Sequence, residues 1–258
     1  MISTVITSRQ HPLCKLVRSL HSTKGRKQHG LFVVEGGNGV AAALQARWSL
    51  QRLLIPNHEL GEEWKVLAQA ANVETQMVDD EILESLSEAQ TSPDVIAVAK
   101  MPTPHELQLD GLTLILDELG DPGNVGTLIR SADAAGASEI VLTSGSADAW
   151  SPKVVRSSAG SVFHLPPQSS TGIELVQLLK SQKVPIVAAV AHEGEDCFRF
   201  RWPSRCALVL GHETRGISEE LEAAATARVT IPMFGKAESL NVASAGAVLL
   251  YAWRQRSD

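Results

Sequence analysis

The sequence predicts an α/β protein built on a parallel sheet, with a smaller α/β unit in front of it. Three observations carry that reading. Strand-length apolar runs alternate with helix-length amphipathic segments along the chain, the pattern of strands covered by helices on both faces. Leu112-Thr113-Leu114-Ile115-Leu116 is almost wholly apolar, as a strand buried on both sides must be. Met101-Pro102-Thr103-Pro104 carries two prolines, which favour an extended linker and divide the 258 residues into units of 1–104 and 105–258.

In order, residues 12–28 read as one basic helix after Pro12, with Leu13, Leu16, Val17 and Leu20 as its apolar stripe. Gly30 ends it. Residues 31–34 form a strand, 35–39 a glycine-rich turn and 40–46 a short helix. Strands at 51–55, 73–78 and 95–99 alternate with helices at 62–71 and 79–87, the latter capped by Asp79. Beyond the linker come a strand at 112–116, a loop at 117–126 and a helix at 127–135 ended by Gly136. A strand at 140–142, a loop at 144–152 and a helix at 153–159 follow, then a short apolar run at 162–165. A helix at 173–180 and strands at 186–190, 208–210 and 229–231 lead to a final helix of small residues after Ser239-Leu240-Asn241.

Hydrophobic residues make up 44% of the chain, enough for a full core, while aromatic residues at 4% argue against an extended stacking surface for single-stranded nucleic acid. The formal charge of −6 excludes a generic nucleic-acid coat. The charge is uneven, however. Residues 1–34 hold Arg9, Lys15, Arg18, Lys24, Arg26 and Lys27 with no Asp or Glu. That is either an arm that meets phosphate or a solvated basic helix. Cys14, Cys197 and Cys206 have no paired spacing, which predicts neither a disulfide framework nor structural zinc and fits a reducing compartment. No signal-like or membrane-spanning apolar run is expected, so a cytoplasmic location is.

Five stretches offer chemistry. Asp121-Pro122-Gly123-Asn124-Val125-Gly126 puts glycines and an amide behind a buried strand, where ligands of parallel sheets collect. An ordinary tight turn accounts for the same residues, and neither the dinucleotide nor the Walker pattern is present. Arg130 follows on the next helix with Asp133 one turn on, as either a surface pair or a phosphate-gripping fork. Ser157-Ser158-Ala159-Gly160-Ser161 follows Lys153 and Arg156, as either a phosphate contact or a solvated helix end. Gly211-His212-Glu213 ends one apolar run, and Ser239 and Asn241 flank Leu240 before the last helix, where either of them can be a simple cap. No G-x-S-x-G elbow and no zinc-ligand spacing is found.

Three blocks together resemble the SpoU (TrmH-like) RNA ribose 2′-O-methyltransferases of the trefoil-knotted SPOUT class. They are Leu116-Asp117-Glu118 through Asp121-Pro122-Gly123-Asn124-Val125-Gly126 to Arg130-Ser131-Ala132-Asp133, then Leu210-Gly211-His212-Glu213-Thr214-Arg215-Gly216-Ile217, then Ile231-Pro232-Met233 with Ser239-Leu240-Asn241-Val242-Ala243. The resemblance covers residues 110–253. Phe32-Val33-Val34-Glu35-Gly36 makes the first unit similar to the family's L30e-like substrate-binding extension. Its next residues, Gly37-Asn38-Gly39, depart from the bulkier or basic residues usual there and predict a looser loop.

The resemblance implies that the second unit ends in a deep C-terminal trefoil knot. It implies S-adenosylmethionine among the knot loops, held at Leu210, Gly211, Ile231, Met233 and Leu240. By the same resemblance, Asn124, Arg130, Glu213, Ser239 and Asn241 serve catalysis, no metal is needed, and the active form is a homodimer whose site is completed across the interface. The implied substrate is structured RNA, ribosomal by preference and a guanosine of 23S ribosomal RNA in particular, because only RNA offers the 2′-hydroxyl. A transfer-RNA enzyme and a non-catalytic RNA-binding or assembly protein are the alternatives.

Overall fold

A computed structural model describes residues 5–89 and 92–255. The chain forms two compact units, Met1–Thr103 with Trp150–Phe163, and Pro104–Ala149 with His164–Asp258. The segment Trp150–Phe163, which the linker reading assigns to the second unit, clusters with the first.

In the first unit the elements run α1 (Pro12–Leu20), α2 (Thr23–His29), β1 (Leu31–Glu35), α3 (Gly37–Gln45), β2 (Leu50–Pro56), α4 (Glu59–Ala70), β3 (Glu74–Val78), α5 (Asp80–Ser85) and β4 (Ile96–Lys100). The single basic helix expected over 12–28 is two helices. Ser22 breaks it by capping α2, its hydroxyl accepting the Gly25 N–H at 3.1 Å. Gly25 is obligatory there, because a Cβ would lie 1.9 Å from the Ser19 carbonyl oxygen. Arg26 is buried, and its Nη1 donates to the Leu20 and His21 carbonyls at 2.8 Å each. It satisfies the orphan C-terminal carbonyls of α1 and is withdrawn from the expected basic arm.

The sheet order is β1-β4-β2-β3, with β4 antiparallel to both neighbours and β2 parallel to β3. The first unit therefore carries a mixed sheet, a departure from the parallel pattern that strand–helix alternation implied. Residues 37–39 are not a loose turn either. They open α3, and the Gly37 N–H donates to the Asp94 carboxylate at 2.7 Å. A Cβ at Gly37 would meet that carboxylate at 2.6 Å and Trp64 at 3.1 Å, so the glycine is a packing requirement.

The second unit begins with β5 (Leu112–Leu116), α6 (Pro122–Ala135) and β6 (Glu139–Thr143). The chain then makes α7 (Pro152–Ser157) and a 3-10 turn at Ser161–Phe163, both within the first unit, where a short apolar run was expected at 162–165. It continues with β7 (Gln168–Ser170), α8 (Gly172–Ser181), β8 (Ile186–Ala189), β9 (Glu195–Asp196), β10 (Cys206–Leu210), α9 (Glu219–Ala223), β11 (Ala227–Thr230) and α10 (Val242–Arg254). All seven strands are parallel, in the order β7-β6-β5-β10-β8-β11-β9. Every residue of β5 and β10 is buried, which is why both read as apolar runs, interrupted only by Thr113.

Helix α10, last in sequence, returns to pack on α6, and with the strand order this is consistent with the C-terminal trefoil-knot fold that the resemblance implied. Gly246 sets how close it comes, since a Cβ there would meet Leu128 at 2.2 Å and Leu210 at 2.8 Å. The three cysteines are buried and none is in a disulfide. Burial pushes the Cys14 thiol up against the pull of Arg18, and pushes the Cys197 thiol up with help from the Asp196 carboxylate. Among the described residues, no helix is long and apolar enough to cross a membrane.

Candidate active site

The three blocks meet at the C-terminal ends of β5, β10 and β11. Asp117, just past β5, is the hub. It is 1% exposed, its Oδ1 accepts the Thr143 hydroxyl at 2.8 Å, and its Oδ2 accepts the Ser218 N–H at 2.7 Å. One buried carboxylate thereby joins the ends of β5 and β6 to the loop after β10, with both oxygens hydrogen-bonded as burial demands. Glu118 follows at φ +55°, with its N–H donating to the Thr143 hydroxyl and its carboxylate paired to Arg215 at 2.8 Å.

Residues 121–126, read from sequence as loop, are the first turn of α6. The Asp121 carboxylate accepts the Asn124 N–H at 2.8 Å and Pro122 takes the first helical position, the ordinary start of a helix. With its backbone engaged by the cap, Asn124 directs its side chain outward. Its Nδ2 donates to Glu213 Oε1 at 2.8 Å, and its Oδ1 accepts from Asn241 Nδ2 at 3.1 Å. Asn241 in turn caps α10, its Oδ1 accepting the N–H groups of Ala243 at 2.9 Å and Ser244 at 3.4 Å. Cap and contact are thus compatible at one residue.

Glu213 reaches this position from a tight hairpin. The His212 and Gly216 backbones exchange N–H···O bonds at 2.9 Å. Gly211 permits that closure, because a Cβ would lie 2.4 Å from the Gly216 carbonyl carbon and 2.5 Å from the Ile217 nitrogen. Gly216 supplies the positive φ of +76°.

Beside the junction lies a cleft of about 700 Å³, lined by Leu210, Gly211, Glu213, Ile231, Met233, Ser239, Leu240 and Asn241 among others. That is within the range of about 300–1,000 Å³ usual for small-molecule sites. Its walls are of two kinds. Leu210, Ile231, Met233 and Leu240 present apolar surface, with Leu240 still 41% exposed, and the flanking loops present backbone groups and carboxylates. An aromatic base between apolar side chains, read by backbone groups and carrying a polar tail, fits this donor set. The cofactor implied by the resemblance has that chemistry.

Nine of the ten expected site residues therefore gather here, with Asn124 joined by hydrogen bonds to two cleft residues. Arg130 does not. It is exposed on α6, six residues or ~9 Å of helix beyond Asn124, and does not line the cleft. The Arg130–Asp133 surface pair, one of the two readings, is not found among the described residues; Asp133 instead meets His164 at 3.3 Å. The hydroxyl-rich stretch at 157–161 is also not a phosphate surface. Ser158 and Ser161 are buried, and Arg156 pairs with Glu35 at 2.6 Å. Sequence reasoning gave no separate role to Asp117, Thr143 or Ser218. An acid directly behind an apolar strand is the one signal that could have singled out Asp117.

Residues 111–251 match the SpoU rRNA Methylase family, and residues 11–97 match the MRM3-like substrate binding domain. A 23S rRNA (uridine(2479)-2′-O)-methyltransferase of Streptomyces viridochromogenes is 33% identical over 97% of this chain and 92% of its own. A 23S rRNA (guanosine(2553)-2′-O)-methyltransferase of Bacillus subtilis is 31% identical over 96% of this chain and 98% of its own. Among solved structures, the AdoMet-bound rRNA methyltransferase from Sinorhizobium meliloti superposes with a TM-score of 0.87 at 28% identity, covering 98% of this chain and 97% of that one.

Proposed function

The chain belongs to the SpoU rRNA methylase family and is an S-adenosylmethionine-dependent RNA methyltransferase, and from that premise we propose that it methylates the 2′-hydroxyl of one ribose in 23S ribosomal RNA. The observation that carries the reading is the Glu213–Asn124–Asn241 junction at the lip of the cleft, which joins all three blocks in one hydrogen-bonded line.

Bound S-adenosylmethionine supplies a sulfonium methyl: it would exchange its S–CH₃ bond for an O–CH₃ bond at the ribose, leaving as the neutral thioether S-adenosylhomocysteine, with the hydroxyl proton passing to water at the exposed lip of the cleft. This chain's residues hold the two partners in line, which is the larger part of such catalysis. Leu210, Gly211, Ile231, Met233 and Leu240 hold the cofactor. Asn124 and Asn241 fix the Glu213 hairpin, and Ser239 faces the ribose from the cleft wall. Arg130 acts as a phosphate clamp, since a guanidinium is a permanently charged fork and a poor base. Its distance from its own protomer's cleft fits a homodimer in which each Arg130 serves the partner's site. Guanosine is the base we carry forward, and the natural setting is the cytoplasm. Near-equal identity to a uridine and a guanosine enzyme leaves the choice of base to the mapping experiment.

The test is methyl transfer to an unmodified 23S transcript, with the product mapped by resistance of the adjacent phosphodiester to alkaline hydrolysis. One protected linkage, 3′ to a guanosine, is expected. Label on a base, or no transfer, overturns the reaction, and a protected linkage at uridine replaces the base. Arg130→Lys should raise the KM for RNA and leave the shape of the pH–rate profile unchanged; a low essential pKa in the wild type that is lost in Arg130→Lys overturns the clamp.

A further inference from the structure

We infer that residues 197–202, between β9 and β10, form a stacking platform for an unpaired base of the RNA substrate, with Phe198 as its face and Arg199 and Arg201 as flanking cations. The inference rests on the RNA-methyltransferase reading of the cleft. The run Phe198-Arg199-Phe200-Arg201-Trp202 alternates aromatic rings with guanidinium groups in a chain where aromatic residues are only 4%. Phe198 is 61% exposed, the Arg199 side chain is 87% exposed, and Arg201 is exposed as well. A single exposed phenyl is common on protein surfaces and alone means little. Here, though, the exposed ring sits on a turn built to hold it still.

Three anchors do so. Asp196 organises the turn. Its Oδ1 accepts the Phe198 N–H at 2.9 Å, and its backbone carbonyl accepts the N–H groups of Arg199 and Phe200 at 2.9 and 2.8 Å. Trp202 is buried, donates its indole N–H to the Cys197 carbonyl at 2.9 Å, and meets Phe200 edge-on with centroids 5.1 Å apart. Trp253 of α10 donates to the Pro203 carbonyl at 3.1 Å. Two of the three rings are thus spent on packing, and Phe198 alone is presented.

The position is equally specific. β9 pairs in parallel with β11, placing Asp196 opposite Thr230, and the Cys197 N–H donates to the Thr230 carbonyl at 2.9 Å. The residue after Thr230 is Ile231, a wall of the cleft. Phe198 therefore leaves the sheet at the same C-terminal edge as the cleft, where parallel sheets meet their ligands. The charges select the occupant. Glu193, Glu195 and Asp196 precede the turn, so it is no track for a run of phosphates. Arg199 is held only loosely to Asp196, at 3.6 Å, and Arg201 has no ion-pair partner among the described residues. A flat apolar face between two such forks suits one base stacked on the ring and the phosphates beside it.

The test measures binding of an unmodified 23S transcript and of S-adenosylmethionine to Phe198→Ala, Phe198→Leu and Phe198→Trp. Loss of one stacked base weakens RNA binding about 5- to 150-fold in both Ala and Leu variants, with cofactor affinity unchanged. Phe198→Trp keeps RNA affinity and gains RNA-dependent quenching beyond that of the five native tryptophans. RNA binding by the Leu variant equal to wild type overturns stacking. So does a lighter sedimenting species of the Ala variant with unaltered RNA affinity, which would make the ring a contact between two copies of this chain. If wild-type protein transfers no methyl to ribosomal RNA, the functional reading falls and takes the platform with it; if wild type methylates and Phe198→Ala binds RNA normally, only the platform falls.

Discussion

Two polar junctions tie distant stretches of this chain together, and they are made of opposite materials. In the first unit, Glu35 at the end of β1 accepts the Arg156 guanidinium at 2.6 Å, the Ser87 hydroxyl at 3.1 Å and the Glu88 N–H at 3.3 Å, with only 2% of its side chain exposed. Around it, Trp150 packs on Phe32 with centroids 4.8 Å apart, and Phe163 packs on Trp48 at 5.3 Å. In the second unit, Asn124 links Glu213 to Asn241, and both partners are exposed. The first junction is ionic and centred on a sunken carboxylate, which Arg156 reaches from the surface and beside which His21 Nε2 lies at 3.8 Å, so Glu35 is shut in with its partners. The second borders water, so its amides and carboxylate can exchange partners with a substrate. One is built for holding the fold, the other for handling a ligand.

The largest effect that would break this contrast is on stability. Arg156→Ala leaves the buried Glu35 carboxylate without its guanidinium, with only His21 Nε2 remaining 3.8 Å away, which costs about 3 kcal/mol. Denaturant unfolding should show the loss at unchanged cofactor affinity. A loss below about 1 kcal/mol would mean that water reaches Glu35 and that the two junctions are alike. Next is Asn124→Asp, which sets a second carboxylate against Glu213 in place of the Nδ2 donor. Turnover should fall about 100-fold as the hairpin shifts, while unfolding free energy stays within about 0.5 kcal/mol, as for surface substitutions. Stability falling in step with turnover would make this junction structural too.

The contrast also explains which parts of the molecule are legible in residue order. β5 and β10 are legible because burial on both faces leaves an almost wholly apolar run. The three blocks are legible because glycines and amides cluster at strand ends. Residues 121–126 read as loop because Pro and Gly look like helix breakers, although proline behind an aspartate cap starts a helix. β9 is two residues long, too short for any period to register. Arg26 and Arg156 read as available cations, but each is committed to a carbonyl or carboxylate by packing that local sequence does not encode. Glu35 and Arg156 are 121 positions apart, and no spacing rule reaches that far.

The smallest effect sharpens the comparison with a third junction that is wholly local. At the start of α8, Glu174 Oε2 accepts the Thr171 N–H at 3.1 Å and hydroxyl at 3.0 Å, and the Ser170 hydroxyl at 3.3 Å, while the Thr171 hydroxyl accepts the Glu174 N–H at 3.2 Å. The Thr171 backbone bond first, then the two hydroxyls, hold the Glu174 carboxyl below the usual glutamate range. A carboxyl whose folded pKa lies below its unfolded one stabilises the fold above the unfolded pKa. That contribution fades as pH falls through the folded value. Glu174→Gln keeps the capping-box geometry but not the charge. The variant should therefore unfold at slightly lower denaturant than wild type at neutral pH and converge with it in acid, with the difference read from paired unfolding curves across pH. A gap that persisted in acid would assign the effect to packing, and would separate this solvent-facing carboxylate from Glu35, whose role depends on being shut away from water.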